Sequence, residues 1–292
     1  MAQDYVAYPE LKLHDGGMKL SFMTLGCPAW DLETICCNGR DYGFDGVDFR
    51  GLGEDLDVTQ LPAFTTEVAA TKRMLDDHGL AVSAISSSIG VCDPAKRAAN
   101  LEEAKRTIPV ALSLGCGIVR VFGMGDLKSM THVEAADVGR DCLEAILALD
   151  GGDKIQWVFE THDHWIQSND CALLLERIPN PNFGVLWDMG HTSRVGGESP
   201  EVSVAALKGR IYYTHIKDAV YDTSHPDAMK DGWRYVTPGS GQLPLAEAIA
   251  ALKGIGYDGW VNFEHEKRWH PELPEPEEIF PAFVAWAKPL IA

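Results

Sequence analysis

Eight short apolar runs alternate with eight helical patterns from residue 18 to the end of the chain, and that alternation constrains the fold more than any other feature. The runs are Met18–Leu25, Gly46–Phe49, Ala81–Ser87, Ile118–Phe122, Ile155–Glu160, Gly184–Asp188, Arg210–His215 and Trp260–Glu264. They lack strict polar alternation, as parallel strands do when helices cover the sheet. Between them lie helical patterns over Asp31–Tyr42, Pro62–His78, Pro94–Leu114, Thr131–Leu149, Ser168–Ile178, Pro200–Lys208, Leu243–Ile255 and Glu277–Leu290. Asp31 can cap the first, and Gly43, Gly79, Gly115 and Gly256 stand where helices stop. Pro94 suits a first helical turn, and Thr131 with Glu134 has capping-box spacing.

Eight βα units without a composition break predict an α/β fold, a single-domain (β/α)8 TIM barrel over residues 18–292, behind a lead-in at 1–17. The length of 292 residues suits it, since such barrels commonly need about 250. An open doubly wound sheet would more often carry a glycine-rich dinucleotide fingerprint after its first strand, and Leu25-Gly26-Cys27-Pro28 does not match. Residues 218–242 read as a long polar loop bearing Gly and Pro.

The formal charge of −18 opposes a nucleic-acid partner, and no Lys/Arg cluster offsets it. No apolar run reaches the roughly 18 residues of a membrane span, so no membrane association is expected. Met1-Ala2-Gln3-Asp4-Tyr5 lacks the pattern of a secretory signal. Seven cysteines at irregular positions, with no C-x-x-C and an adjacent Cys36-Cys37, read as reduced, mostly buried thiols. The expectation is a soluble cytoplasmic protein. Long loops at the rim could join subunits into a homo-oligomer.

Four consecutive runs in the second half end on metal-competent side chains: Glu160, Asp188, His215 and Glu264. Barrel active sites form at the C-terminal ends of strands, so these four would meet at one mouth. The spacings of 28 and 27 residues match one βα unit each, and the last, 49, contains the 218–242 loop. One acid at a strand end is usually a cap or a solvated loop residue. Three carboxylates at one mouth repel one another and resist desolvation unless a cation holds them. A set of three carboxylates and one imidazole suits Mn²⁺ first, then Mg²⁺, with Co²⁺ or Zn²⁺ less favoured.

Neighbouring residues add candidates for substrate binding. His191 follows in Asp188-Met189-Gly190-His191, and His162 and His164 flank Asp163 after Glu160. His191 can reach a bound substrate or pack at the rim; His162 and His164 can supply rim polarity or a second metal. Lys217 and Asp218 can bind hydroxyls or pair with each other. Arg50, Arg120 and Arg234 can neutralise an anionic substrate or form structural ion pairs. Gly239-Ser240-Gly241 is a weak phosphate-loop candidate, or just a turn. Trp30, Trp165, Trp187, Trp233 and Trp269 lie near strand ends or loops, where aromatic walls would favour sugar rings, although large apolar side chains more often serve the core.

The chain resembles the sugar phosphate isomerase/epimerase superfamily, the xylose-isomerase-like barrels, from about Met18 to Leu290. The motifs that carry this are Gly46-Val47-Asp48-Phe49-Arg50, Phe159-Glu160-Thr161-His162, Leu186-Trp187-Asp188-Met189-Gly190-His191, His215-Ile216-Lys217-Asp218, Pro238-Gly239-Ser240-Gly241 and Phe263-Glu264-His265-Glu266-Lys267. The resemblance implies one divalent metal held by Glu160, Asp188, His215 and Glu264, a small carbohydrate substrate, and substrate contact by His191. It also implies proton transfer beside a carbonyl through an enediolate, with Glu160 and Glu264 as the exchanging acids. The superfamily includes ketose epimerases, aldose–ketose isomerases and inosose dehydratases, and the same four ligands serve each. A DNA-repair endonuclease of this fold would need more His and Asp ligands and a basic face, which the charge opposes. A non-catalytic sugar-binding barrel is the third class; replacing Glu264 by Gln would separate it from an enzyme, because only an enzyme loses turnover.

Overall fold

The computed structural model describes residues 17–292, position 208 excepted. The expected lead-in at 1–17 therefore lies almost wholly outside the described residues.

Eight parallel strands close into a barrel in the order β1-β10-β7-β6-β5-β4-β3-β2. They are β1 Lys19–Met23, β2 Gly46–Phe49, β3 Ala81–Gly90, β4 Ile118–Phe122, β5 Gln156–Glu160, β6 Phe183–Asp188, β7 Ile211–Ile216 and β10 Trp260–Phe263. The remaining pair, β8 Asp218–Tyr221 and β9 Trp233–Val236, forms an antiparallel hairpin outside the barrel. The stretch expected to be irregular loop thus contains a small sheet. Its strands are rich in Val, Tyr and Trp, which suit a pleated ribbon.

The helices are α1 Leu32–Tyr42, α2 Val68–Asp77, α3 Arg97–Leu114, α4 His132–Leu147, α5 Ser168–Arg177, α6 Met189–Arg194, α7 Pro200–Leu207, α8 Leu245–Gly254 and α9 Pro276–Ile291. Local chemistry sets several of their ends. Asp31 accepts from the Thr34 amide at 2.9 Å to open α1, and Gly43 closes it at φ 93°. Thr131 and Glu134 form the full capping box of α4. The Pro62 and Pro94 segments differ from expectation: each begins as a short 3-10 turn, and the α-helix starts later, at Val68 and Arg97. The short α6 was not expected.

The main core lies between the barrel and its helices. Phe22, Phe44, Phe263, Phe280 and Phe283 pack there, with Phe263 and Phe283 stacked at 4.4 Å. Inside the barrel a smaller cluster contains Ala84, Ile118, Val158, Leu186 and Tyr213. Strand side chains alternate faces with a period of two. Residues two positions further along therefore face inward one layer higher. They are Ser86, Arg120, Glu160, Asp188 and His215, all buried at the C-terminal mouth. One parity rule thus delivers an apolar floor and a charged ring above it.

Candidate metal centre

Glu160, Asp188 and His215 occupy the inward positions nearest the ends of β5, β6 and β7, and Glu264 follows β10 directly. Register joins two of them, since Asp188 pairs with His215 across β6 and β7. All four are buried, and each offers one ligand atom within 4.8 Å of the others'. His215 Nδ1 lies 3.4 Å from both Glu160 Oε1 and Glu264 Oε2.

The donor atoms fit a cation. Glu160 Oε1, Asp188 Oδ2, His215 Nδ1 and Glu264 Oε2 are buried and make no hydrogen bond of good geometry. Buried polar atoms rarely go unpaired, because each loses its hydration without replacement. Lys217 Nζ ion-pairs with two of these oxygens, Asp188 Oδ2 and Glu264 Oε2, and the convergence of three carboxylate oxygens with one imidazole nitrogen makes a set that can hold a divalent metal.

Surrounding groups hold each ligand in place. Arg120 Nη1 donates to Glu160 Oε2 at 2.8 Å. Burial works against the Glu160 carboxylate, yet Arg120 and His215 hold its carboxyl well below the usual range. Asp188 Oδ1 accepts from the His191 amide at 2.8 Å, so the ligand also caps α6. Asp48, at the mouth end of β2, places Oδ2 3.5 Å from His215 Nε2 and accepts from Ser86 Oγ at 3.0 Å. That arrangement turns Nδ1 of His215 toward the acids, the role a carboxylate plays behind a metal-binding imidazole.

Lys217 is buried at the centre of the acids. Its Nζ lies 3.0 Å from Asp188 Oδ2, 3.0 Å from Glu266 Oε1, and pairs with Glu264. Burial alone would lower its pKa, but Asp188, Glu264 and Glu266 drive it well above the ordinary lysine value. Glu264 is held low in return: burial raises it, and Lys217 and His215 more than reverse this. His191 has its pKa shifted down by burial and then by Lys217. Its Nδ1 faces the Thr161 carbonyl at 3.1 Å, an acceptor that suits a proton on that nitrogen. Its Nε2 faces Lys217 at 3.3 Å. His162 packs edge-on against His191 at 4.9 Å and leans on Phe122, and these two histidines with Glu160 form a second possible ligand group.

His162, His191 and Lys217 thus gather beside the four candidate ligands. Arg234 does not reach them. It is half-buried on β9 and lines a separate cleft of about 330 Å³ with Tyr235, Thr237, Ser240 and His270. Asp218 does not pair with Lys217. Its Oδ2 accepts from the Gly239 and Gly241 amides at 2.8 Å each, and its Oδ1 from Ala219 at 2.8 Å. Two amides of the Gly-Ser-Gly stretch are therefore already engaged, and the stretch acts as a turn anchored on Asp218, not as a phosphate cradle. Trp30, Trp165 and Trp187 are core residues, Trp233 is half-buried and Trp269 is exposed. Sequence reasoning gave no role to Asp48 or Glu266. Both stood in motifs, and Asp48 ends a strand as the ligands do.

The fold defines the class, a closed βα barrel, and its buried acid and histidine cluster lies at the C-terminal mouth, where barrel enzymes carry their active sites. The family model described as xylose isomerase-like TIM barrel matches residues 38–290, and the chain belongs to that family. A 3-dehydroshikimate dehydratase of Neurospora crassa is 23% identical over 340 aligned positions, covering 93% of this chain and 92% of that protein. The probable 3-DHS dehydratase of petrobactin synthesis from Bacillus anthracis superposes with TM-score 0.74 at 17% identity, over 93% and 99% of the two chains. D-Psicose 3-epimerase with D-tagatose from Clostridium cellulolyticum H10 superposes with TM-score 0.74 at 12% identity, over 94% and 99%. The two superpositions show a shared fold. No helix among the described residues is long and apolar enough to cross a membrane.

Proposed function

We propose that the chain is a divalent-metal-dependent isomerase or epimerase acting on a sugar or keto-polyol by proton transfer through an enediolate. The observation that carries this is the convergence of buried donor atoms from Glu160, Asp188, His215 and Glu264. Mn²⁺ suits the set best, with Mg²⁺, Co²⁺ or Zn²⁺ as substitutes. When a cation is bound, the chemistry it supplies is Lewis acidity toward a carbonyl and its neighbouring hydroxyl, which acidifies the adjacent C–H.

The protein's own groups do the rest. Glu160 and Glu264 stand three strands apart around the ring, with His215 between them. They reach a substrate from different sides, so one takes the proton and the other returns one to the opposite face. Lys217 and Arg120 keep the two carboxylates ionised and fixed. His191, with its Nε2 toward Lys217, orients a hydroxyl together with that residue, and His162 closes that wall.

Dehydration of a keto-polyol is the second reading, favoured by the dehydratase relative that aligns over 93% of the chain. There the second carboxyl protonates a β-hydroxyl, which leaves as water. One experiment separates the two. The Mn²⁺-loaded protein is incubated in D₂O with D-tagatose, other ketoses and 3-dehydroshikimate, and products are read by mass spectrometry and NMR. Deuterium beside the carbonyl with every hydroxyl retained supports isomerase or epimerase chemistry. Loss of water assigns a dehydratase. No exchange and no loss across the panel contradicts both.

A further inference from the structure

The three arginines near the mouth separate cleanly in the structure. Arg120 is ion-paired with the buried Glu160 carboxylate. Arg234 faces the neighbouring cleft. Arg50 directly follows β2 at the same mouth, with its backbone amide fixed by Thr24 Oγ1 at 2.9 Å. Its guanidinium makes one hydrogen bond, from Nη1 to the Leu56 carbonyl at 3.2 Å, and pairs with no carboxylate among the described residues. A guanidinium has five N–H donors in a planar fork, so most of that fork is uncommitted. The residue is half-buried, and its guanidinium lies close enough to Arg120, Asp48 and Glu160 to feel their charges, which places it beside the mouth.

The surroundings make this cation costly as it stands. Burial, and then the neighbouring charge of Arg120, lower its pKa to about 10, and Glu103, Asp48 and Glu160 only partly compensate through space. It remains charged at neutral pH. Two adjacent guanidinium groups, one of them unpaired, form a locus that an oxyanion would neutralise with bidentate geometry.

We infer that Arg50 is the anion-recognition residue of the site, and that the substrate is a keto-polyol carrying a carboxylate or a phosphate, held at the β2–β4 side of the mouth. This rests on the proposed metal-dependent chemistry for what lies at the other end of the substrate. It goes further in excluding a purely neutral sugar as the preferred ligand. Carboxylate and phosphate share the chemistry that Arg50 would read, and matched probes distinguish them.

The test is isothermal titration of the Mn²⁺-loaded protein with two pairs: 3,4-dihydroxybenzoate against catechol, and D-fructose 6-phosphate against D-fructose. The anionic member of at least one pair should bind about tenfold or more tightly than its neutral partner, and the favoured pair names the anion. Arg50→Gln should erase that advantage, lowering the anion's affinity far more than the neutral partner's. Arg50→Lys, with charge but no fork, should restore part of it. Metal content and melting temperature of each variant show that it is folded and loaded. The inference is overturned if neither anion is preferred, if no probe binds, if the preference survives in Arg50→Gln, or if that variant weakens both members equally. Anion preference without deuterium exchange would refute the proposed reaction and leave Arg50's role standing.

Discussion

Nη1 of Arg120 donates to Oε2 of Glu160 across 2.8 Å, and the two side chains are 3% and 1% exposed. Removing one partner of a buried pair leaves an uncompensated charge, at a cost of about 3–5 kcal/mol. Arg120→Met should therefore lower the unfolding free energy of the metal-free protein by about 3 kcal/mol or more, measured by urea denaturation. A loss below about 1 kcal/mol, the range of surface pairs, would show that Glu160 does not depend on this partner.

Asp48 acts through His215. Its Oδ2 stands 3.5 Å from Nε2 and holds the ring so that Nδ1 meets the acids. Asp48→Asn keeps the shape and removes the charge. The expected outcome is a loss of metal affinity of about 10–100-fold with unchanged stoichiometry, read by titration with Mn²⁺. Unaltered affinity would reduce Asp48 to a packing residue.

The Asp218 carboxylate gathers the amides of Ala219, Gly239 and Gly241, and a Cβ at Gly241 would collide with it. Asp218→Ala should free the segment from Gly239 to Leu243 and destabilise the fold by about 2 kcal/mol, since each orphaned amide costs about 1–3 kcal/mol where water cannot reach it. Gly241→Ala should reproduce the effect. Hydrogen exchange is the measurement: faster exchange confined to these amides is expected, and unchanged protection would contradict the anchor.

The six buried thiols, all raised by burial, contribute an alkaline limit, and Cys36 and Cys116 show its extent. Burial, with a smaller push from Cys37, raises Cys36 from 9.0 to about 12, and burial raises Cys116 from 9.0 to about 12. Both folded-state values lie above the unfolded ones, so the native state holds these protons more tightly. The stabilisation is complete below about pH 9 and is lost as pH rises from there toward about 12. Melting temperature should be flat near neutrality and fall through that window. Alkylation of the folded protein should label half-buried Cys37 and spare the six buried cysteines. Labelling of Cys36 or Cys116 without unfolding would contradict the assignment.

Much of this was legible in the sequence because strand ends carry their own chemistry. Glu160, Asp188, His215 and Glu264 each close an apolar run, and a closed parallel barrel leaves such ends only one common place to meet. Capping was equally local: Asp31 and the Thr131–Glu134 pair work within one helical turn. What could not be read is which charges share space across strands. Arg50, Arg120 and Arg234 are equivalent as letters; only the barrel order puts β4 beside β5, and so Arg120 on Glu160. Asp48 lies 167 positions from His215 in sequence and meets it through closure of the ring. The hairpin in residues 218–242 escaped because eleven polar-rich positions separate Tyr221 from Trp233, too many for a tight-turn signal.

In the proposed function Glu160, Asp188, His215 and Glu264 together hold one divalent cation. Metal analysis of the Mn²⁺-reconstituted protein, after exhaustive dialysis, tests it most directly, with Asp188→Asn and His215→Ala measured in parallel. One equivalent per chain in the native protein, lost or greatly weakened in both variants while each still melts cooperatively, is the predicted result. No retained metal in the native protein, or equal retention in the variants, would contradict the claim.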